Sequence, residues 1–429
     1  ITGTTGYEYM IALNQIFIDR RHQGTLLDTY RWFTRNTMEF PDIVYHCKNL
    51  VMRTTMSAEI NILAHQLSKL AEKRWQYRDF TLNSLRDAIR EVIACFPVYR
   101  TYINAYEDTV DESDQAVINN AIFEAKKRNP AVSSAIFDFV RNMLLLQYPP
   151  GLSDEALNDQ RVFVMRFQQF TGPVMAKGME DTAFYIYNPL VSLCEVGGYP
   201  QRFGTSIEEF QRHNLIKQRT KPHAFIATSS HDSKRSEDVR ARINVLSEMP
   251  REWRAALARW SRMNRSKKVA VNGDIVPDGN EEYLIYQILL GTYPLGDMAK
   301  EEQAFYLERI QTYMLKAVRE AKVYTSWISP NTAYEEGISQ FIAAILEPSE
   351  SNVFLSDFKG FNQTIVTCGW YNSLSQVAIK LFSPGTPDVY QGNEVWVYNL
   401  TDPDNRRPVD FSSRANLLKQ IKRLMLAYR

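Results

Sequence analysis

The string ATSSHDSKRSED, Ala227 to Asp238, holds the residues best suited to chemistry. His231 and Asp232 follow a compact apolar run, Ala224 to Thr228, and Lys234 and Arg235 come directly after them. A His-Asp pair at the C-terminal end of a buried strand is where an α/β enzyme places catalytic groups. The same residues also read as a plain helix start, with Ser229, Ser230 or Asp232 as N-cap and the charges in water. Alone, the string leaves both readings open.

A second group, Arg166 to Leu190, sets Lys177, Glu180 and Asp181 beside Phe184, Tyr185 and Tyr187 around a Gly-Pro turn. Charges that bind hydroxyls next to flat rings that stack on sugars make the composition of a carbohydrate subsite. A surface ion pair on a helix with buried aromatics has that composition too. In a third group, Pro384 to Phe411, the residues Asp402, Asp404, Arg406, Arg407 and Asp410 suit a loop-fixing ion network, and Glu394 is the residue placed to face a substrate. No Gly-rich phosphate loop, zinc-ligand spacing or serine nucleophile elbow is present. The histidines are scattered, so no metal site is expected.

The elements that must position these groups are mainly helical in the first two hundred residues. Ile60, Leu63, Leu67 and Leu70 repeat at helical spacing, as do Leu82, Leu85, Ile89 and Val92 behind Thr81 as N-cap. Further helices are expected over 115–127, 132–146, 238–246, 281–290, 301–322, 376–382 and 416–428. Strands are expected at Cys95 to Tyr102, interrupted at Pro97, at Ala224 to Thr228, and at Asp388 to Tyr390. Arg262 to Gly279 reads as an exposed loop. Strands separated by long helical stretches argue for α/β architecture with large helical insertions. On pattern alone, a barrel and a doubly wound sheet are tied.

The chain balances 50 Lys and Arg against 49 Asp and Glu, which provides no field to steer it toward nucleic acid or an anionic membrane. Cys47, Cys95, Cys194 and Cys368 lie far apart, as buried thiols in a reducing compartment do, so a cytoplasmic location is expected. No apolar run reaches the roughly 18 residues of a membrane span. Aromatic residues make up 12% of the chain, which suits sugar stacking as well as core filling. The start at Ile1 and the end inside a helical pattern read as cuts.

Taken together, GTTGYEY at Gly3, FPVYRTY at Phe96, the Arg166 to Tyr187 string, ATSSHDSKRSEDVRAR at Ala227, NEEYLIYQ at Asn280, REAKVYTSW at Arg319 and DPDNRRPVDF at Asp402 resemble the maltooligosyltrehalose synthase family of the α-amylase superfamily. The resemblance implies the C-terminal part of a (β/α)8 barrel with large helical insertions. Segment 1–105 would lead to strand six, 106–215 would be a helical insertion carrying the substrate string, and 216–429 would hold strands seven and eight. It also implies an intramolecular transglucosylation that converts the reducing-end α-1,4 bond of a maltooligosaccharide to an α,α-1,1 bond. Asp232 would be the carboxylate that stabilises the cationic sugar, with His231 as its hydroxyl-binding neighbour. Lys234, Arg235, Lys177, Glu180, Asp181, Phe184, Tyr185, Tyr187, Arg100 and Glu394 would serve as substrate-binding residues, and closure by Lys177, Glu180 and Tyr185 would keep water out. No cofactor is implied.

The sequence departs from the family in one respect. The family's nucleophile and general acid precede the GTTGY string, which here begins at Gly3. The isolated chain is therefore expected to be inactive and to need the N-terminal half of the barrel as a partner. The alternatives are a non-catalytic glycan-binding or scaffold fragment, and another hydrolase of the superfamily.

Overall fold

The structure, a computed structural model, describes residues 3–427 apart from 105, 108, 149, 150 and 152. It divides into two bodies, Met38–Ala183 and the pair of segments Ile1–Thr37 and Phe184–Arg429. The expected boundaries fall elsewhere. Helices on either side of residue 105 share one core, through Ile89, Val92, Ile118 and Ala121, and a cut after 215 would split the helix Ile207–Thr220.

The body Met38–Ala183 is built from helices Phe40–Arg53, Ser57–Glu72, Leu82–Ala94, Glu112–Arg128, Ser134–Leu144 and Asp154–Met175. Their apolar stripes meet in a single cluster that includes Leu67, Leu85, Ile89, Phe137, Val140 and Phe167. Thr81 caps its helix as expected, its hydroxyl accepting from the Ser84 N–H at 3.2 Å. The expected strand at Cys95 to Tyr102 is not formed; this stretch is irregular. Side chains take the backbone groups that a neighbouring strand would have used. The Gln168 amide both accepts from the Ile103 N–H (2.7 Å) and donates to its carbonyl (3.0 Å), and Asp114 accepts from the Tyr102 N–H (3.0 Å). Pro97 has no N–H to give a ladder.

The last helix of this body widens into π-helical turns over Ala176–Ala183, directly after Pro173, which cannot donate to the helix ladder. The Thr182 hydroxyl donates to the Lys177 carbonyl at 2.8 Å and ties the wide turn. Gly178 is required where these turns lie against Phe40–Arg53: a Cβ there would sit 2.7 Å from Lys48 Cγ and 2.9 Å from Lys48 Cα.

The second body packs helices Glu237–Asn244, Pro250–Asn264, Gly279–Thr292, Lys300–Ala321, Thr332–Leu346 and Val353–Phe382. Trp253, Trp260, Tyr283, Tyr286, Phe354 and Phe358 fill its centre edge to face. Gly279–Thr292 begins in a reciprocal cap between Asp278 and Glu281. The loop expected over 262–279 contains a hairpin, Val269–Val271 with Asp274–Val276, turned by Asn272 and Gly273 at φ 53° and 95°. Asn-Gly between two β-branched runs is a strong two-residue hairpin signal, and it is legible in the sequence.

Phe225–Ile226 pairs in parallel with Thr386–Pro387. The first of these strands lies where the apolar run predicts it; the second comes two residues earlier than Asp388 to Tyr390. Asp388 instead donates its N–H to the Ile226 carbonyl at 3.1 Å just past the pair. Among the described residues the fold is thus mostly helical with few strands, and the pair carries no further strand beside it. Helix Phe411–Ala427 has no buried residue, and Leu417, Leu418, Ile421, Leu424 and Met425 lie exposed along it.

Candidate active site

The loop from Thr228 to Ser236 leaves the C-terminal end of strand Phe225–Ile226 and leads into helix Glu237–Asn244. Its backbone is held at nearly every step. The Ser230 N–H donates to the Ser233 hydroxyl (2.9 Å) and the Asp232 N–H to the Ser230 hydroxyl (3.1 Å). Asn405 donates to the His231 carbonyl (2.9 Å), and Asn393 to the Ser229 hydroxyl (3.2 Å). Glu195, fully buried, accepts from the N–H groups of Lys234 (2.6 Å) and Arg235 (3.1 Å).

The side chains of His231 and Asp232 project from this fixed backbone into solvent. They are 60% and 56% exposed, with Nε2 3.6 Å from Oδ2. The N-cap residue of the following helix is Ser236, and Ser229 accepts from its first N–H, that of Glu237, at 2.9 Å. None of Ser229, Ser230 and Asp232 is therefore the N-cap that the helix-start reading expects, although the Ser229 hydroxyl takes the first helical N–H, and Asp232 is left to face outward.

The residues after the pair turn inward. Arg235 is 1% exposed and donates to the Cys194 carbonyl (2.9 Å) and the Tyr313 hydroxyl (3.2 Å). Its expected contact with substrate is corrected: the guanidinium is a buried strut, and only a hydrogen-bonded interior keeps such a charge. Lys234 is also largely buried, its ammonium 5.8 Å from the Tyr185 ring centroid.

Beneath the loop lies a charged network that composition did not single out. Arg240 bonds Glu195 at 3.3 Å and the Arg235 carbonyl at 2.5 Å. Lys380 donates to the Thr228 hydroxyl (2.7 Å) and lies 4.0 Å from Glu237, to which Thr228 also donates. Asp238 accepts from the Val397 N–H at 2.8 Å, and burial pushes its carboxyl up to about 6. Arg242 lies over the Tyr398 ring, 3.6 Å from its centroid. A helix with Glu237, Asp238, Arg240 and Arg242 all buried is a signal that the sequence offered only as a solvated charge run.

The other expected site residues are distributed as follows. In the body Met38–Ala183, Lys177 pairs with Asp181 at 2.7 Å, and the Tyr99 hydroxyl donates to the buried Glu180. Arg100 donates to the Thr101 carbonyl (3.2 Å), with its guanidinium 4.8 Å from the Tyr102 ring centroid. In the other body Phe184, Tyr185 and Tyr187 are buried core rings, which corrects their expected role as open stacking faces. Tyr187 packs edge-on against Tyr30 at 6.0 Å. Glu394 pairs with Arg414 at 3.0 Å, and its side chain stays 49% exposed. The ion network expected around DPDNRRPVDF forms in part: Asp404 takes Arg309 (2.9 Å) and Arg407 (2.7 Å), and Asp402 takes Arg406 (3.2 Å), whereas Asp410 accepts from the Ser413 N–H (3.1 Å).

The four cysteines are free thiols. Among the described residues no group of His, Cys, Asp and Glu could hold a metal ion, and no helix is long and apolar enough to cross a membrane.

No family model matches the chain. It is 37% identical over 258 residues, 60% of its own length, to a Mycobacterium tuberculosis protein named "Putative maltooligosyl trehalose synthase", of which it covers 32%. The fold matches the solved structure of maltooligosyltrehalose synthase from Arthrobacter ramosus with a TM-score of 0.81 and 30% identity, over 98% of this chain and 48% of that one. It also matches a solved structure titled DSM5389 glycosyltrehalose synthase, with a TM-score of 0.74 and 33% identity over the same shares. The chain thus spans about half the length of these solved relatives and about a third of the curated one.

Proposed function

We propose that this chain, a relative of the maltooligosyltrehalose synthases, is the part of such an enzyme that carries the C-terminal strands of an α-amylase-type barrel and one catalytic carboxylate, Asp232. The supporting observation is the exposed His231–Asp232 pair, held on a tied-down loop at the C-terminal end of a parallel strand pair. That end is where parallel α/β folds carry their chemistry. Phe225–Ile226 and Thr386–Pro387 then serve as the neighbouring seventh and eighth strands.

In the proposed reaction a maltooligosaccharide gives up its reducing-end α-1,4 bond and re-forms it as an α,α-1,1 bond. A retaining route passes through an oxocarbenium-like state and needs a nucleophile and a general acid about 5 to 5.5 Å apart. These two groups belong to the upstream portion of the parent enzyme. Asp232 supplies negative charge toward the developing cation and accepts from sugar hydroxyls, while His231 donates to one of them. Exposure suits this task, since a carboxylate already consumed by an internal partner has no lone pairs for a sugar. Lys177 and Asp181, on their own body, keep a proposed role in holding glucan hydroxyls.

The exposed row Leu417, Leu418, Ile421, Leu424 and Met425 on Phe411–Ala427 fits the same picture, because unpaired apolar stripes mark faces that pack against more protein. We assign that face to the upstream half of the barrel. The chain alone should leave the reducing ends of maltopentaose untouched, and adding the upstream half should make them disappear. Asp232→Asn should abolish that gain. Loss of reducing ends with the chain alone, or an unimpaired Asp232→Asn mixture, would overturn the assignment.

A further inference from the structure

The second body carries a basic hollow built from other segments than those around the His231–Asp232 loop. It lies where the end of helix Gln23–Thr34, the end of Pro250–Asn264 and the start of Gly279–Thr292 converge, and it encloses about 560 Å³. That volume is within the range of small-molecule sites. Arg35, Arg262 and Arg265 line it, all three exposed. None of their guanidinium groups has an ion pair or a hydrogen bond among the described residues. Like charges gathered in a concavity without an anion repel one another and focus a positive field into it.

The other charges of the lining cancel. Lys268 pairs with Glu282 at 2.6 Å, and Glu282 also accepts from the Tyr286 hydroxyl at 2.7 Å. The two helix C-termini carry about half a negative charge each, so they answer about one of the three positive charges. About two remain, which is the charge of a phosphate monoester above its second pKa of about 6. Arg35 also sits in left-handed backbone at φ 60°, a position after a helix that favours Gly or Asn. A long side chain kept there costs conformational energy and gains no partner within the protein. Beside the arginines the lining is apolar, with Trp32, Phe33 and Ile275. Arg254 lies over the Trp32 ring, 4.5 Å from its centroid, and holds it in place. A bare phosphate would leave these apolar groups in water, whereas a phosphate carried on an organic group covers them.

We propose that this hollow binds the dianion of a phosphate monoester: its oxygens accept from Arg35, Arg262 and Arg265, and its organic part lies against Trp32 and Phe33. Guanidinium forks match phosphate oxygens in pairs, which a point charge does not. A bound ester bridges the end of Gln23–Thr34 and the end of Pro250–Asn264, so it stabilises the folded body as any ligand of the native state does. A sugar phosphate and a mononucleotide share this chemistry. The site is separate from Asp232 and does not rest on the transglucosylation reading, so the reducing-end assay has no bearing on it.

Calorimetric titration of the whole chain with glucose 6-phosphate, AMP and inorganic phosphate tests it. At least one ester should bind with a Kd below about 1 mM, and inorganic phosphate about tenfold more weakly. Arg262→Gln combined with Arg265→Gln should weaken the ester about tenfold or more. Arg219→Gln combined with Arg251→Gln removes the same charge from exposed residues outside the hollow and should change binding by less than about twofold. A circular dichroism melt checks that both variants are folded, as exposed substitutions allow. No heat from either ester at about 10 mM overturns the site. Equal weakening by the two double variants overturns it as well, since binding would then follow net charge. Inorganic phosphate binding as tightly as both esters overturns the ester assignment. A preference for glucose 6-phosphate or for AMP supports the site and tells a sugar phosphate from a mononucleotide.

Discussion

The loop Thr228 to Ser236 and the turns Ala176–Ala183 are built from similar residues, mixing basic and acidic side chains within a few positions, and they end in opposite arrangements. In the loop, buried side chains hold the backbone while His231 and Asp232 remain in solvent. In the turns, the acidic side chains are themselves engaged, Asp181 by Lys177 and Glu180 by the Tyr99 hydroxyl. Composition therefore does not decide which carboxylate faces outward. The position of a buried partner such as Glu195 decides it.

The largest effect that would sharpen this contrast comes from Glu195. It is fully buried, receives two loop N–H groups and pairs with Arg240. Glu195→Ala leaves a buried guanidinium without its carboxylate, a loss of about 3–5 kcal/mol. Urea unfolding measures it, and a loss below about 1 kcal/mol would mean that other contacts hold the loop.

The turns are tested through Lys48, which packs against Gly178. Lys48 is buried, donates to the Phe96 carbonyl at 2.7 Å, and burial lowers its ammonium to about 7. The sign follows from proton counting: between that value and the ordinary lysine range the unfolded chain binds the extra proton, so stability rises with pH. Below about 7 both states are protonated and the contribution is flat. Burial pushes Glu281 up to about 8, which acts in the opposite direction below that value, and Cys95 up to about 12, which does so above its ordinary thiol range, so the clean window runs from about pH 8 to about 9. Stability there should climb by up to about 1.4 kcal/mol per pH unit. Lys48→Met should flatten the slope, and an unchanged slope would place the titrating group elsewhere. Gly178→Ala is a smaller perturbation of the same contact. Its Cβ would meet backbone and side chain of Lys48 at under 3 Å, which should cost about 1–3 kcal/mol in a thermal or urea unfolding experiment.

The expected helices were legible because their apolar stripes repeat at three and four residues and their caps, such as Thr81, are local chemistry. The Ala224 to Thr228 strand was legible as a compact apolar run. Cys95 to Tyr102 was not, because Gln168 and Asp114, distant in sequence, take the backbone groups that a ladder would use. The hairpin at Asn272-Gly273 carried a local signal that the surrounding basic and Gly/Pro/Asp-rich composition obscured. Within the candidate site, the position of His231 and Asp232 just after an apolar strand was readable, but the inward turn of Arg235 was not. That turn depends on Cys194, Glu195 and Tyr313, which only the fold brings near it.

The smallest expected effect on stability is the most discriminating. Apart from its exposed approach to His231 at 3.6 Å, the Asp232 carboxylate has no ion pair among the described residues. Asp232→Asn should therefore change unfolding free energy by no more than about 0.5 kcal/mol, as surface substitutions do. Glu195, in the buried network beneath the same loop, changes stability several times more while never reaching solvent. A carboxylate that can be neutralised without harm to the fold is one whose charge is kept for something outside it. If Asp232→Asn instead destabilised the chain as Glu195→Ala does, the loop would be one more structural ion cluster, and the difference between the two carboxylates would disappear.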